Sequence, residues 1–293
     1  MASLATSNIS KNSIEEIMPP PPPDMISKRS YQTLSFPTFS AQLADEIRNN
    51  QYDKQNNPTG VVNLAISINE LMEDEVLAKL NKEDTLTLTS RHQYYNDTSG
   101  LPELRKAVAN FLTRHHKPRE AISPKNDFSI PGFRIGVIHT TNPWVLSCLK
   151  TLSHYHSSPP LTQHAAASLL NDVEWCDDFY IPTNKNKLAA AYKKACEYLE
   201  TSGVKVQKSV AGIFLWVNMQ AFLDECNEEN EMALFTMFLK GGVCLLPGKK
   251  LYCAHPGWYR IVFSVKENVL EEGLARIQAV LSEWKKSKES GSR

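Results

Sequence analysis

The sequence predicts an α/β protein with an ordered body behind a loose N-terminal tail, and three observations carry that reading. Runs rich in β-branched and aromatic residues, at Val61–Ile68, Phe133–His139, Ala211–Val217 and Trp258–Val265, have the composition of buried strands. Between them, Pro102–His116, Asn184–Leu199, Asn230–Lys240 and Glu267–Trp284 repeat apolar residues at helical spacing. Residues 1–30 are rich in Ser, Asn and Lys and contain the run Pro19–Pro23, which can join neither a helix nor a central strand. A disordered, polyproline-II-like tail is expected there. It could serve as an SH3 or WW ligand, although nothing flanking it supports that use.

Composition narrows the function. The 32 basic and 32 acidic side chains cancel, so bulk attraction to nucleic acid or to an anionic membrane is not expected. With 42% hydrophobic residues over 293 positions, the chain can bury the core of one large domain or two small ones. No apolar run approaches a membrane span and no charged-then-apolar leader opens the sequence, so a cytoplasmic protein is the expectation. The cysteines, at 148, 176, 196, 226, 244 and 253, show no C-x-x-C spacing and read as reduced thiols. His154 and His156 lie two apart and His115–His116 are adjacent, whereas a metal pair on a helix needs spacing of three or four. No metal site is expected.

Taken in order, Tyr31–Asn50 is an amphipathic stretch, and Lys54–Gly60, ending Asn57-Pro58-Thr59-Gly60, is a polar turn into the first strand. Leu104, Val108, Phe111 and Leu112 mark the apolar face of a helix that Pro102 suits as a first turn. Turn residues 127–132 lead into the strand at Phe133, whose mouth carries the lone Arg134. An unpaired buried guanidinium is costly, so Arg134 needs either a carboxylate partner or a bound anion. Helices are expected over Asn142–Ser157 and Leu161–Leu170, broken by Ser158-Pro159-Pro160. A longer one from Asn184 shows Leu188, Tyr192, Ala195 and Leu199 on one face and stops near Gly203, a suitable C-cap. Val204–Val206 is a short strand, and Val243–Leu246 is another that runs into Pro247-Gly248. Arg260 sits among apolar residues on the strand from Trp258 and raises the same alternative of salt bridge or bound anion. The last helix places Leu270, Leu274, Ile277, Leu281 and Trp284 at four-three-four-three spacing.

The letters around Arg134 are more specific than their composition. Lys125-Asn126-Asp127-Phe128-Ser129-Ile130-Pro131-Gly132-Phe133-Arg134-Ile135-Gly136 resembles the S-K-D-F-G-x-x-G-x-R-x-G signature of fold-type-I pyridoxal-phosphate enzymes, in the aminotransferase class I/II group. In that signature the lysine eight residues before the arginine holds the cofactor as a Schiff base, and the arginine grips its phosphate. Here Asn126 stands at the lysine position and Lys125 one place early, so Lys125 is only a weak candidate for the catalytic lysine. Asn63-Leu64-Ala65-Ile66-Ser67-Ile68-Asn69 resembles the N-L-G-x-x-E-N segment of 1-aminocyclopropane-1-carboxylate synthases and their relatives; Asn69 matches, while Ile68 replaces the glutamate. Tyr95, five before Gly100, aligns with a tyrosine that reaches the neighbouring subunit's cofactor phosphate, although packing at a helix entrance explains it equally. Thr98 stands where synthases place an aromatic. Gly257-Trp258-Tyr259-Arg260-Ile261-Val262-Phe263-Ser264 matches G-x-x-R-x-x-F-S, whose arginine binds the substrate α-carboxylate.

Lys117–Asn126 resembles the P-x-x-I-x-P-E-N stretch that leads into the family's cofactor domain, yet Asp127-Phe128 follows at once. A domain-sized stretch is missing at that junction, as in an exon-skipped form. With it go the phosphate-cradling glycine turn, the ring-stacking aromatic and the carboxylate for the pyridine nitrogen. The resemblance therefore implies a fold-type-I architecture with a truncated large domain plus a small α/β C-terminal domain. The expected division is a tail at 1–30, an N-terminal segment at 31–125, a residual end of the large domain at 126–170 and the small domain at 171–293. It implies pyridoxal 5'-phosphate as cofactor, cofactor-binding Arg134 and Tyr95, substrate-binding Arg260, an amino acid or other small carboxylate as substrate, and a homodimer. Impaired catalysis follows, which leaves open whether this chain is an enzyme. The rival is a non-catalytic interaction or dimerisation protein derived from the same family.

Overall fold

The computed structural model describes residues 47–83, 85–89, 92, 99–116, 133–138, 140, 142–145, 149 and 158–291. The expectations for the tail, for most of 31–50, and for Tyr95, Thr98, Lys125 and Asn126 lie outside them. Residues 1–51 form one unit, of which a single helical turn at 47–49 is described, and residues 52–293 form the other.

In the second unit β1 (Val62–Asn63) is followed by α1 (Glu73–Leu80), α2 (Pro102–His116) and α3 (Pro160–Asn171). A π-helical stretch, Glu174–Tyr180, runs directly into α4 (Ile181–Thr201). Next come β2 (Lys205–Gln207), β3 (Phe214–Asn218), α5 (Glu228–Lys240), β4 (Val243–Cys244), β5 (Leu246–Pro247), β6 (Trp258–Val262) and α6 (Glu267–Gly291). The main sheet is antiparallel, in the order β2-β3-β6-β5. A second sheet pairs β1 with β4 in parallel, Val62 opposite Val243. Successive strands β4 and β5 thus belong to different sheets, and the chain crosses between them at the fully buried Leu245.

Alternation along the strands decides which face is core. Leu215 and Val217 of β3 and Tyr259 and Ile261 of β6 are fully buried. Leu234, Phe235 and Phe238 of α5 and Leu270, Leu274 and Ile277 of α6 are buried with them. Trp216, Trp258 and Arg260 point to the other face and are only half-buried. Helix α6 approaches β1 closely because position 273 is glycine: a Cβ there would lie 2.7 Å from Leu64 Cδ1. A second core joins Leu101, Leu104, Ala107, Phe111 and Leu112 around α2 to Ala167 and Leu170 of α3 and to Cys176. Burial, with the nearby Asp177 carboxylate, pushes the Cys176 thiol up to about 12, which marks it as an inert packing residue.

Most expected elements form, and the exceptions have local causes. The strand expected over Val61–Ile68 stops after Asn63, whose Oδ1 accepts from the Ala65 and Ile66 backbone N–H groups at 3.1 and 3.3 Å and turns the chain. Phe133–His139 is not a buried strand where it is described. Arg134 has a left-handed backbone, φ 52°, and Ile138 is 67% exposed. No strand among the described residues offers that segment an edge, and backbone groups without a ladder partner stay at the surface. Helix α4 begins at Ile181 rather than Asn184, with Pro182 in its first turn. The turn before β1 forms as expected: Asp53 Oδ1 accepts from Gln55 and Asn56 N–H, and Arg276 donates to the carbonyls of Pro58 and Gly60 at 2.7 and 2.6 Å.

Ion pairs tie the helices together, two of them around the end of α3 and the π-helical stretch. Lys79 of α1 meets Asp172 at the end of α3, and Arg114 Nε of α2 meets Asp177 Oδ2 at 2.7 Å, joined there by His115. The Lys79 ammonium, with the Trp175 N–H, holds the Asp172 carboxyl below its ordinary range. Burial works against Asp177 ionising, but Arg114 and His115 outweigh it and its value is also lowered. Depressed carboxylates add stability that is complete above their unfolded value, about 3.9, and disappears as pH falls through the lower folded value. Unfolding free energy is therefore expected to fall as pH drops below about 4. Lys79→Met with Arg114→Met should flatten that dependence in urea titrations; an unchanged slope would remove these pairs from the account.

Candidate carboxylate-binding site

Arg260 occupies the middle of the central strand β6, opposite Trp216 of β3 on one side and Leu246 of β5 on the other. The strand is aimed from its start. Gly257 has φ 91°, and a Cβ there would sit 2.6 Å from Gln220 Cγ and 3.2 Å from Gln220 Cα. Only glycine fits that entry, which gives the first letter of the G-x-x-R motif a physical reason. Its N–H donates to Glu231 Oε2 at 2.6 Å and its carbonyl accepts from Met219 N–H at 2.8 Å.

The segment after β1 closes over this face. Val262 N–H donates to Leu64 O at 2.8 Å, Glu70 N–H to Ser264 O at 2.7 Å, and Ser264 Oγ to Ile68 O at 2.6 Å. The Arg260 Nη2 group donates to Ala65 O at 2.7 Å, and its guanidinium carbon lies 5.2 Å from the centroid of Phe214. Its Nε is buried without a hydrogen-bond partner. No carboxylate among the described residues pairs with Arg260. Burial draws its value down from the ordinary guanidinium range, although an arginine keeps its charge in proteins. A half-buried cation with an unused N–H and no counter-ion is prepared for an anion, and a fork of parallel N–H groups suits a carboxylate. Stacked Trp216 and Trp258, centroids 5.8 Å apart, lie on the same face.

Asn69 is buried on the closing segment; its Oδ1 accepts from Leu71 N–H and its Nδ2 donates to Asn184 Oδ1 at 2.8 Å. Arg134 lies elsewhere, exposed on 133–138, with its carbonyl accepting from Ser158 Oγ at 3.2 Å. Asn69 thus braces the segment whose Ala65 carbonyl meets Arg260, and Arg134 is carried on a separate segment. Sequence reasoning missed the Ala65 carbonyl and the tryptophan pair; the alternation of Trp216 with Leu215 and Val217 was the available signal. It also missed His92, Glu103 and His164, which meet although they are far apart in the chain.

An antiparallel sheet packed with helices, carrying on its central strand an arginine with no carboxylate partner among the described residues, defines an α/β protein with a candidate anion site. The sequence profile described as "Aminotransferase class I and II" matches residues 126–277. The chain belongs to the class I and II aminotransferase family. It is 39% identical over 155 residues to 1-aminocyclopropane-1-carboxylate synthase-like protein 1 of Mus musculus, covering 53% of this chain and 31% of that one. It is 34% identical over 161 residues to the probable inactive 1-aminocyclopropane-1-carboxylate synthase-like protein 2 of Homo sapiens, covering 55% and 28%. The chain spans about a third of the length of these curated relatives. A solved aspartate aminotransferase from Thermus thermophilus with maleate aligns at TM-score 0.41 and 19% identity, over 47% of this chain and 34% of that one.

Proposed function

We propose that this chain is a 1-aminocyclopropane-1-carboxylate synthase-like protein that keeps the carboxylate-recognition half of an amino-acid site and is catalytically impaired in this form. The observation that carries the reading is Arg260, charged, half-buried, with Nε unpartnered and no carboxylate beside it among the described residues. Arg260 would grip the α-carboxylate of an amino acid or similar small acid, Phe214 and the tryptophan pair would exclude water beside it, and Asn69 would fix the closing segment. Family membership makes pyridoxal phosphate the cofactor of a complete site. The described residues do not fit it: Arg134, the expected phosphate ligand, is exposed with a left-handed backbone rather than set at a strand mouth. No chemical step is therefore assigned to the cofactor. That the family profile begins at Asn126, where the sequence junction falls, supports the loss of the preceding part of the large domain. The domain division at 126–170 and 171–293, the homodimer and the cytoplasmic location belong to the same proposal. No helix among the described residues is long and apolar enough to cross a membrane.

The test is calorimetry with an amino acid and a dicarboxylate. Weak binding is expected, and Arg260→Lys should reduce it by about tenfold or more, because an ammonium cannot reproduce the paired N–H geometry. Equal binding by wild type and variant would sink the assignment.

A further inference from the structure

We propose that His92, Glu103 and His164 form a binding site for a divalent transition metal of the zinc type, outside the carboxylate site. The three come from separate parts of the chain. Glu103 is in the first turn of α2, His164 in α3 and His92 just beyond the loop that follows α1. Their ligand atoms all lie within 4.8 Å of one another. Glu103 Oε1 is 3.9 Å from His92 Nε2 and 3.8 Å from His164 Nδ1, and the two rings are tilted by 36° with centroids 4.5 Å apart.

The second observation is what these rings lack. The His92 side chain is 2% exposed, and its Nε2, like both ring nitrogens of His164, is buried with no hydrogen-bond partner among the described residues. Buried unpaired polar atoms are costly, and a pair such as His92 Nε2 and His164 Nδ1, both facing the Glu103 carboxylate beyond hydrogen-bond distance, is rare without a ligand to satisfy it. The scaffold around them is fixed. Gln163, the neighbour of His164, accepts from Leu101 N–H at 2.6 Å and donates to Ser158 O at 2.7 Å, which locks the start of α3 to the start of α2.

Two imidazoles and one carboxylate are a donor set that zinc, cobalt and nickel accept, with a fourth position left for water. Tetrahedral bonds of about 2.0–2.1 Å place donor atoms about 3.3 Å apart, so the ion would draw Glu103 in by about half an ångström and turn the two tilted rings toward it. His92 Nδ1 now accepts from Thr89 N–H at 3.0 Å, which puts the ring proton on Nε2. Ligation through Nε2 needs that proton on Nδ1, so binding would break the contact from Thr89 N–H and turn Nδ1–H toward Thr89 Oγ1, now 3.4 Å away. A ligating histidine ordinarily makes such a donation through its other nitrogen.

The experiment uses the full chain under reducing conditions, dialysed against zinc and separately against cobalt. One tightly held equivalent of zinc is expected. His164→Gln and Glu103→Gln should each weaken it at least tenfold, and the exposed His255→Gln should leave it unchanged. The cobalt form should show the visible bands of a nitrogen–oxygen tetrahedral site without the near-ultraviolet absorption of thiolate ligands. Circular dichroism identifies any variant that fails to fold; if His164→Gln does, Glu103→Gln and the cobalt spectrum decide. Substoichiometric zinc, retention unchanged in the variants, or a thiolate band showing that the cysteines hold the ion would each overturn the site.

Discussion

Glu231→Leu is expected to destabilise the fold by about 3–5 kcal/mol, a large effect for one surface-sparing substitution. Glu231 lies on α5 at 1% exposure, in a position where an acidic side chain is ordinarily excluded. Its carboxylate is fully used: Oε1 accepts from Lys249 N–H at 2.9 Å and Oε2 from Gly257 N–H at 2.6 Å. Those two N–H groups stand near the ends of the loop from 248 to 257 that carries the chain from β5 to β6. Its main-chain oxygen also accepts from Tyr259 Oη at 2.6 Å, and burial, helped by the Glu231 charge, raises the Tyr259 phenol so that it stays a donor. Leucine would fill most of the volume but leave the buried Gly257 N–H and the part-buried Lys249 N–H unpaired. Each such loss costs about 1–3 kcal/mol, and hydrogen bonds to a charged acceptor lie at the upper end. Glu231→Gln should fall between, since its amide oxygen can serve one N–H while its NH2 group opposes the other. Urea unfolding of the three proteins measures this; a loss under about 1 kcal/mol for leucine would show that water or a rearranged loop satisfies these donors.

The clamp matters to the site because Gly257 opens β6 and Arg260 follows three residues later. It also shows what a sequence conceals. The G-x-x-R-x-x-F-S pattern made Arg260 legible, and the four-three-four-three spacing of Leu270 to Trp284 made α6 legible, because both signals are periodic or local. Glu231 carries no signal of its own within Asn230–Lys240, since its partners are 18 and 26 residues away. His92 and His164 were invisible for the same reason: a spacing rule tests one helix, and these residues meet only after α2 and α3 pack. The errors at Val61–Ile68 and Phe133–His139 have the opposite origin. Both runs have strand composition, but a strand needs an edge to pair with and an uninterrupted backbone. Asn63 interrupts the first with its side chain, and the described part of the second has no edge beside it.

Stoichiometric covalent capture of pyridoxal phosphate is expected to fail in this chain. A catalytic lysine must present a neutral amine to the cofactor aldehyde and later move protons, and both tasks depend on placement at hydrogen-bond precision. The family position eight residues before Arg134 holds Asn126, with Lys125 one residue early. In an extended segment successive side chains face opposite ways, so a one-residue slip turns the amine from the site. The flexible lysine stem recovers part of that distance. It cannot supply a phosphate cradle, and Arg134, exposed and left-handed in its backbone, is not set to provide one. Nor can it supply the stacking aromatic and the pyridine-nitrogen carboxylate of the stretch we propose to be missing between Asn126 and Asp127. Asn126→Lys alone should therefore leave capture well below one equivalent. The measurement is visible absorbance after mixing with pyridoxal phosphate and removing the excess, followed by borohydride reduction and peptide mapping. Diffuse, substoichiometric labelling across surface lysines is the expected result, whereas one equivalent reduced onto Lys125 would restore the chain to the working enzymes of its family.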